Sequence, residues 1–141
     1  MDSPLSRTLD VTKALANPAR LRILAALEKG ECCVCQLTAI LDLAPSTVSA
    51  HLSELKRAGF LLDRKAGKIV FYRLSENPAL GAWLKATYAG IRDDERIAAD
   101  RAFLDRVKAV DVDTFCGAGP RWKLLPAFRS IAKPAKRRPP R

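Results

Sequence analysis

A chain of 141 residues has room for one domain with extensions, and its 48% hydrophobic content supplies a core without any apolar run long enough to cross a bilayer. Eight Lys and Arg and no acid lie between Pro120 and Arg141. The net charge of +10 therefore leaves the first 119 residues with 17 basic against 15 acidic groups, a net of +2, which excludes a uniformly basic particle. Three of the four cysteines fall between positions 32 and 35, which excludes the spaced framework of a secreted disulfide-rich domain.

In chain order, Leu5, Leu9, Thr12 and Leu15 mark a helical stripe suited to packing on another helix or a partner chain. Asn17-Pro18 then predicts a new helix, with Asn17 as cap and Pro18 in the first turn, running through Leu21, Leu24 and Leu27 to Gly30. A short helix follows with a buried stripe of Val34, Leu37 and Leu41, and Asp42-Leu43-Ala44 is the turn into the next. That next helix starts at Pro45, buries Val48, Leu52 and Leu55 on one face, and stops at Gly59. Helix, helix, turn, helix is the order of a helix-turn-helix module.

Two β-prone runs, Phe60 to Arg64 and Ile69 to Leu74, flank Lys65-Ala66-Gly67-Lys68 and predict a hairpin with a basic tip. The expected fold is mainly α with a β-hairpin wing, a winged helix-turn-helix, dimerised through its N- and C-terminal helices. Leu80, Trp83, Leu84, Thr87, Tyr88 and Ile91 recur at helical spacing after Asn77-Pro78. Together with Leu5 and Leu9 they are the expected two-fold dimer interface, which would place two reading helices on half-sites about 34–36 Å apart. The domain reading is residues 1–93 for the winged helix-turn-helix and dimerisation unit, 94–116 for an additional C-terminal helix, and 117–141 for a basic, Pro-rich tail expected to be disordered.

The helix from Pro45 carries Ser46, Ala50, Ser53 and Arg57 opposite its buried stripe, flanked by Thr47 and Ser49. Short polar side chains at a helix start allow close approach to base edges in a major groove. Lys56, Arg57, Arg64, Lys65, Lys68 and Arg73 are opposed in the same segment only by Glu54 and Asp63, the footprint expected of phosphate contact. Double-stranded DNA is the expected partner, with Ser46, Thr47, Ser49, Ala50, Ser53, Arg57, Arg64, Lys65, Lys68 and Arg73 as the contact set. A membrane is not an expected partner. Met1 to Leu15 has no apolar signal-peptide core, so a cytoplasmic location is expected.

Glu31-Cys32-Cys33-Val34-Cys35-Gln36-Leu37 brings three thiols into four positions. Cys32, Cys33 and Cys35 are the expected ligands of a soft thiophile, and Cys116 in Phe115-Cys116-Gly117 is a further candidate. No cofactor is expected to be needed for folding. On a regular helix Cys32 and Cys35 share a face, whereas Cys33 and Cys35 point nearly opposite ways. Gripping one ion with both would then require the first turn to loosen, and the strain would pass through Asp42–Ala44 into the reading helix. Thiols at a helix start are also expected to have lowered pKa values, which keeps open a redox-sensing repressor or a Cd, Zn or Pb sensor. A thiol enzyme such as an arsenate reductase is a remote alternative, because no cysteine is followed by a phosphate-cradling loop ending in Arg and no acid/base pair accompanies the thiols.

Four segments in order, Ala14-Leu15-Ala16-Asn17-Pro18-Ala19-Arg20-Leu21-Arg22-Ile23-Leu24, Glu31 to Leu37, Ser46-Thr47-Val48-Ser49-Ala50-His51-Leu52 and Gly67 to Leu74, resemble the arsenic-responsive repressors of the ArsR/SmtB family. The resemblance covers roughly residues 7–91. It implies a dimeric bacterial repressor, not an enzyme, that leaves its operator when a metal or metalloid binds, here trivalent arsenic or antimony. Cys33 and Cys35 match the first two thiols of the family's arsenite pattern. The third would fall at Thr38, and this chain instead has an additional thiol at Cys32.

Overall fold

The structure, a computed structural model, describes residues 2–129. Five helices are entered through side-chain caps that accept a backbone N–H, from Ser3, Asn17, Asn77, Asp94 and Asp111. Such caps satisfy donors that the first helical turn leaves free. Pro also occupies the first helical position of α1 (Pro4–Leu15), α2 (Pro18–Leu27), α4 (Pro45–Arg57) and α5 (Pro78–Ile91), where its missing N–H costs nothing.

Between α2 and α4 lie β1 (Cys32–Cys33) and α3 (Val34–Leu41). Asp42 ends α3 in the left-handed region at φ 54°, a conformation that Asp tolerates better than most residues. Gly59 ends α4 at φ 98°, and an added Cβ there would come 3.2 Å from Leu80 Cδ1, so both its φ and its lack of a side chain are used. The wing is β2 (Leu61–Ala66) paired antiparallel with β3 (Ile69–Leu74), from Leu61 opposite Leu74 to Ala66 opposite Ile69, leaving Gly67-Lys68 as a two-residue turn. Strand β1 adds to the other edge of β3, with Cys32 opposite Tyr72 and Cys33 opposite Phe71. The sheet order is therefore β1-β3-β2, and the fold is the winged helix-turn-helix expected from the periodicities.

The main core joins Ile23 and Leu24 of α2, Leu37 of α3, Val48, Leu52 and Leu55 of α4, and Phe60 and Leu61 at the wing's root. Leu104, from α6 (Glu95–Lys108), is buried in the same core. Helix α6 is also clamped by charge. Asp100 accepts two hydrogen bonds from Arg22, at 2.7 and 2.9 Å, and Arg22 donates a third to the carbonyl of Ile40 at 3.0 Å. One bidentate pair thus ties α2, α3 and α6 together.

Two sequence expectations change here. Leu80, assigned to the dimer face, is 5% exposed in the subunit's own core, and the Tyr88 hydroxyl donates to the Leu24 carbonyl at 2.8 Å. Trp83 and Leu84 also pack against that core while remaining half-buried, as Thr87 and Ile91 are. A broad apolar stripe on α5 therefore serves the subunit first. Leu5 and Leu9 of α1 are 71% and 47% exposed.

The second change lies beyond residue 116. Helix α7 (Val112–Ala118) is followed by a 3-10 segment (Gly119–Leu124) and α8 (Pro126–Arg129). Phe115 and Phe128 are buried there with Val107 and Ala39, and Trp122 and Phe103 pack on them. Ring centroids are 5.1 Å apart for Trp122 and Phe128 and 5.4 Å for Phe103 and Trp122, in the spacing at which aromatic pairs contribute beyond their buried area. Residues 117–129 are thus a second small core laid over α3 and α6. The part of the expected disordered tail that falls on residues 130–141 lies outside the described residues.

Candidate thiol centre and nucleic-acid interface

The four cysteines are sorted by local backbone. Cys32 enters the main core at 0% exposure, because β1 pairs with β3 and turns this side chain inward. Cys33, the last strand residue, is the extended N-cap of α3 at φ −88° and ψ 164°. Its backbone N–H donates to the Gln36 side chain at 3.0 Å. Cys35 sits in the first turn of α3, and Cys116 on α7 is carried to the same place by the burial of neighbouring Phe115.

The sulfur atoms of Cys33, Cys35 and Cys116 all lie within 4.8 Å of one another. Cys33 Sγ is 2.8 Å from Cys35 Sγ and 3.2 Å from Cys116 Sγ, and Cys35 and Cys116 are paired as a disulfide. The expected trio of Cys32, Cys33 and Cys35 is therefore not brought together. Cys32 points into the core, and Cys116, 81 residues beyond Cys35, takes its place. The expected conflict between Cys33 and Cys35 also disappears. Cys33 precedes the helix, so its extended backbone lets both sulfurs face one point without unwinding α3.

Neither Cys32 nor Cys33 has the lowered pKa expected of a thiol at a helix start. Burial pushes Cys32 up to about 11. Burial also raises Cys33, partly opposed by the backbone N–H groups of Gln36 and Cys35. Desolvation outweighs the helix end here because both sulfurs are inside.

Three sulfur donors suit a soft ion that takes a three-coordinate pyramid. A closed structural zinc site wants four Cys or His ligands, and among the described residues no His, Asp or Glu joins this group. His51 is placed elsewhere. Its Nδ1 accepts from Arg20 Nη1 at 3.2 Å, while Arg20 donates to the carbonyls of Ala14 and Lys13. Burial, and then the Arg20 charge, lower the His51 pKa.

A cavity of about 590 Å³ opens beside the three sulfurs. Its walls are Val34, Thr38 and Ala39 of α3, Asp42, Leu43 and Pro45 at the turn into α4, Lys68, Ile69 and Val70 of the wing, and Gly119, Pro120, Trp122 and Lys123. The lining is mostly apolar and touches both elements expected to read DNA.

On α4, Ser46, Thr47, Ser49, Ala50, Ser53 and Arg57 are all exposed, as are Arg64, Lys65, Lys68 and Arg73 on the wing. The structure separates these cations by partner. Arg57 pairs with Glu54 at 2.7 Å and Lys56 with Asp63 at 3.0 Å. Arg64 donates from Nε to Glu31 at 2.9 Å and lies 4.4 Å over the Phe71 ring. Among the described residues, no ion pair holds Lys65, Lys68 or Arg73. The Glu31–Arg64 pair joins the start of the thiol segment to the wing, a contact that charge counting along the chain did not reveal. Trp122 and the cavity were also missed. Their available signal was Trp122 and Phe128, two large aromatic residues that a merely solvating tail does not need.

A helix with small polar residues outward, a basic wing and a helical flank make up a winged helix-turn-helix, the fold of a class of DNA-binding transcriptional regulators. Residues 17–61 match the family described as "Bacterial regulatory protein, arsR family". The chain is 42% identical over 84 residues to the arsenic resistance transcriptional regulator ArsR1 of Pseudomonas putida, covering 59% of this chain and 64% of that one. It is 47% identical over 76 residues to the arsenical resistance operon repressor of Escherichia coli, covering 53% and 63%. It thus spans a little under two thirds of the length of these two relatives. HlyU from Vibrio cholerae superposes with a TM-score of 0.56 at 34% identity, covering 63% of this chain and 96% of that one. A homodimeric winged helix-turn-helix domain from Mycobacterium bovis gives a TM-score of 0.51 at 30% identity, covering 70% and 83%. The chain belongs to the arsR family of bacterial regulatory proteins. That family and fold are those of transcriptional regulators, not enzymes. No described helix is long and apolar enough to cross a membrane.

Proposed function

We propose that this regulator is a homodimeric repressor that holds operator DNA when its thiols are free and releases it when trivalent arsenic or antimony is bound by Cys33, Cys35 and Cys116. The observation that carries the reading is the convergence of three sulfurs from β1, α3 and α7 within 4.8 Å, immediately beside the helix-turn-helix. The names of the Pseudomonas and Escherichia relatives support arsenic as the inducer. The homodimeric Mycobacterium domain supports the two-fold assembly, and exposed Leu5 and Leu9 supply apolar surface for it.

Binding of arsenous acid exchanges three As–O bonds for three As–S bonds, and each thiol proton leaves with a hydroxyl as water. The site therefore needs no preformed thiolate, which suits a Cys33 thiol held above its ordinary pKa by burial. One ion would fix β1, α3 and α7 to one another. Because β1 is paired with β3 and α3 leads through Asp42 into α4, that constraint reaches the wing and the reading helix together. A coupling of about 1–3 kcal/mol would lower operator affinity about 5–150-fold.

The Cys35–Cys116 pairing favours a second reading, a repressor switched by oxidation of the same two thiols. Fluorescence anisotropy on DNA from upstream of the gene, titrated with arsenite, antimonite, cadmium and peroxide under reducing and non-reducing conditions, separates the two. Release by arsenite from the reduced protein is expected. Release by peroxide alone would favour the redox switch, and release by cadmium alone would favour a divalent-ion sensor.

A further inference from the structure

We infer that the C-terminal layer is a further DNA-contacting element, whose Arg121, Lys123 and Arg129 meet the phosphate backbone of duplex DNA beside the wing. The inference rests on the DNA-binding reading above and is independent of what the thiols bind. Charge segregation is the first observation. The last acid in the chain is Asp113, and a net of +8 out of +10 falls between Pro120 and Arg141. Helix α6, by contrast, mixes Glu95, Asp100 and Asp105 with Arg96, Arg101, Arg106 and Lys108. The one-sided charge therefore begins where the chain leaves α7.

Arg121, Lys123 and Arg129 are all exposed, and among the described residues no ion pair holds any of them. Lys123 Nζ lies 5.5 Å from the centroid of the Trp122 ring, and Arg129 Nε donates to the Leu124 carbonyl at 2.9 Å. Both side chains are thus anchored at one point while their charge stays in solvent. Their place in the fold is the second observation. Lys123, Lys68 in the turn of the wing and Pro45, the first residue of the reading helix, line the same cavity. Lys123 therefore stands across one cavity from the two elements already assigned to DNA. Past Arg129 the chain continues with Lys133, Lys136, Arg137, Arg138 and Arg141 and no acid, so the same sign is carried on from this edge.

The chemistry of the partner fits this surface. Duplex DNA carries about one negative charge per 1.7 Å of its axis, and cations that neutralise phosphates release the counterions condensed there. Exposed cations without acids among them supply that attraction, and phosphate contact carries no sequence information. The choice of bases stays with α4, and the layer adds the same increment of affinity on every sequence. Such contact depends on charge near the backbone rather than on a fixed fit, so it survives loosening of the layer's own packing. A face that only solvates the protein would leave counterion release unchanged.

The test measures, by fluorescence anisotropy over a salt series, the affinity of the reduced full chain for DNA from upstream of the gene and for a random duplex of equal length. Arg121→Gln combined with Lys123→Gln is compared with the wild type and with Arg121→Lys. A further variant, Arg96→Gln with Arg106→Gln, removes the same charge from exposed positions on α6. The layer variant is expected to reduce the slope of log affinity against log salt by about two, about one per cation lost. It should also weaken both duplexes by the same factor. Arg121→Lys, which keeps the charge, and the α6 variant should both keep the wild-type slope. An unchanged slope in the layer variant, or an equal fall in the α6 variant, would overturn the inference while leaving DNA binding by α4 and the wing intact. Failure of the wild type to bind either duplex would instead sink the DNA-binding reading, and the inference with it.

Discussion

The helix-turn-helix with its wing and the C-terminal layer of α7 and α8, laid over one side of α6, use opposite means to hold position. In the first, periodic apolar faces close one core, from Ile23 to Leu61, and each element is marked by a local cap or turn. In the second, a few large side chains far apart in sequence, Phe103, Phe115, Trp122 and Phe128, meet in a small cluster. Regular structure positions the exposed residues of α4 and the wing proposed to contact DNA, whereas long-range aromatic packing positions Cys116. On the proposed function, loss of Cys116 should therefore leave DNA binding in place while removing the inducer response.

Phe115→Ala should break that comparison most sharply. Removing a buried Phe costs about 3–5 kcal/mol, more than a small peripheral cluster is expected to hold. Hydrogen exchange should show residues 112–129 opening while α2 to α4 stay protected, with DNA affinity retained and inducer response lost. Joint loss of protection in both regions would show that they are one cooperative unit. Asp100→Ala should follow at about 3 kcal/mol in a denaturant titration, near the low end for a broken buried pair because Arg22 is partly exposed. Its effect should reach α3 through Ile40.

Smaller effects sharpen the DNA-facing half. Lys68→Ala and Arg73→Ala should each weaken binding to all sequences alike and reduce the salt slope by about one. Arg57→Ala should change less, because Arg57 is already paired with Glu54. The smallest effect belongs to His51. Its folded pKa lies below the ordinary value, so its neutral form is favoured in the fold. That stability is fully present above the unfolded pKa of about 6.5 and is lost as pH falls through the lower folded value. His51→Gln should flatten the dependence of Tm on pH in this window.

The same contrast explains what could be seen in the sequence. Asn17-Pro18, Asn77-Pro78, Gly59 and the Val48, Leu52, Leu55 stripe are signals contained within one or two turns, and the elements they mark are present as expected. Strand β1 has two residues and exists only because β3 lies beside it. Without β1, Cys33 reads as helical and Cys32 as its neighbour in a ligand set. With it, Cys32 points into the core and Cys33 outward to α7. Leu80 reads the same on a core face and a dimer face, since periodicity reports burial but not what buries it. The role of Cys116 depends on a contact 81 residues from Cys35, which spacing alone does not encode.

The central claim is that β1, α3 and α7 each supply one thiol to a single inducer site. Its most direct test is arsenite-driven release from operator DNA, measured under reducing conditions for the wild type, Cys116→Ser and Cys32→Ala. Cys116→Ser should bind DNA like the wild type and lose arsenite release, and Cys32→Ala should respond like the wild type. Full release from Cys116→Ser together with loss of response in Cys32→Ala would contradict the account and return the site to the adjacent thiols.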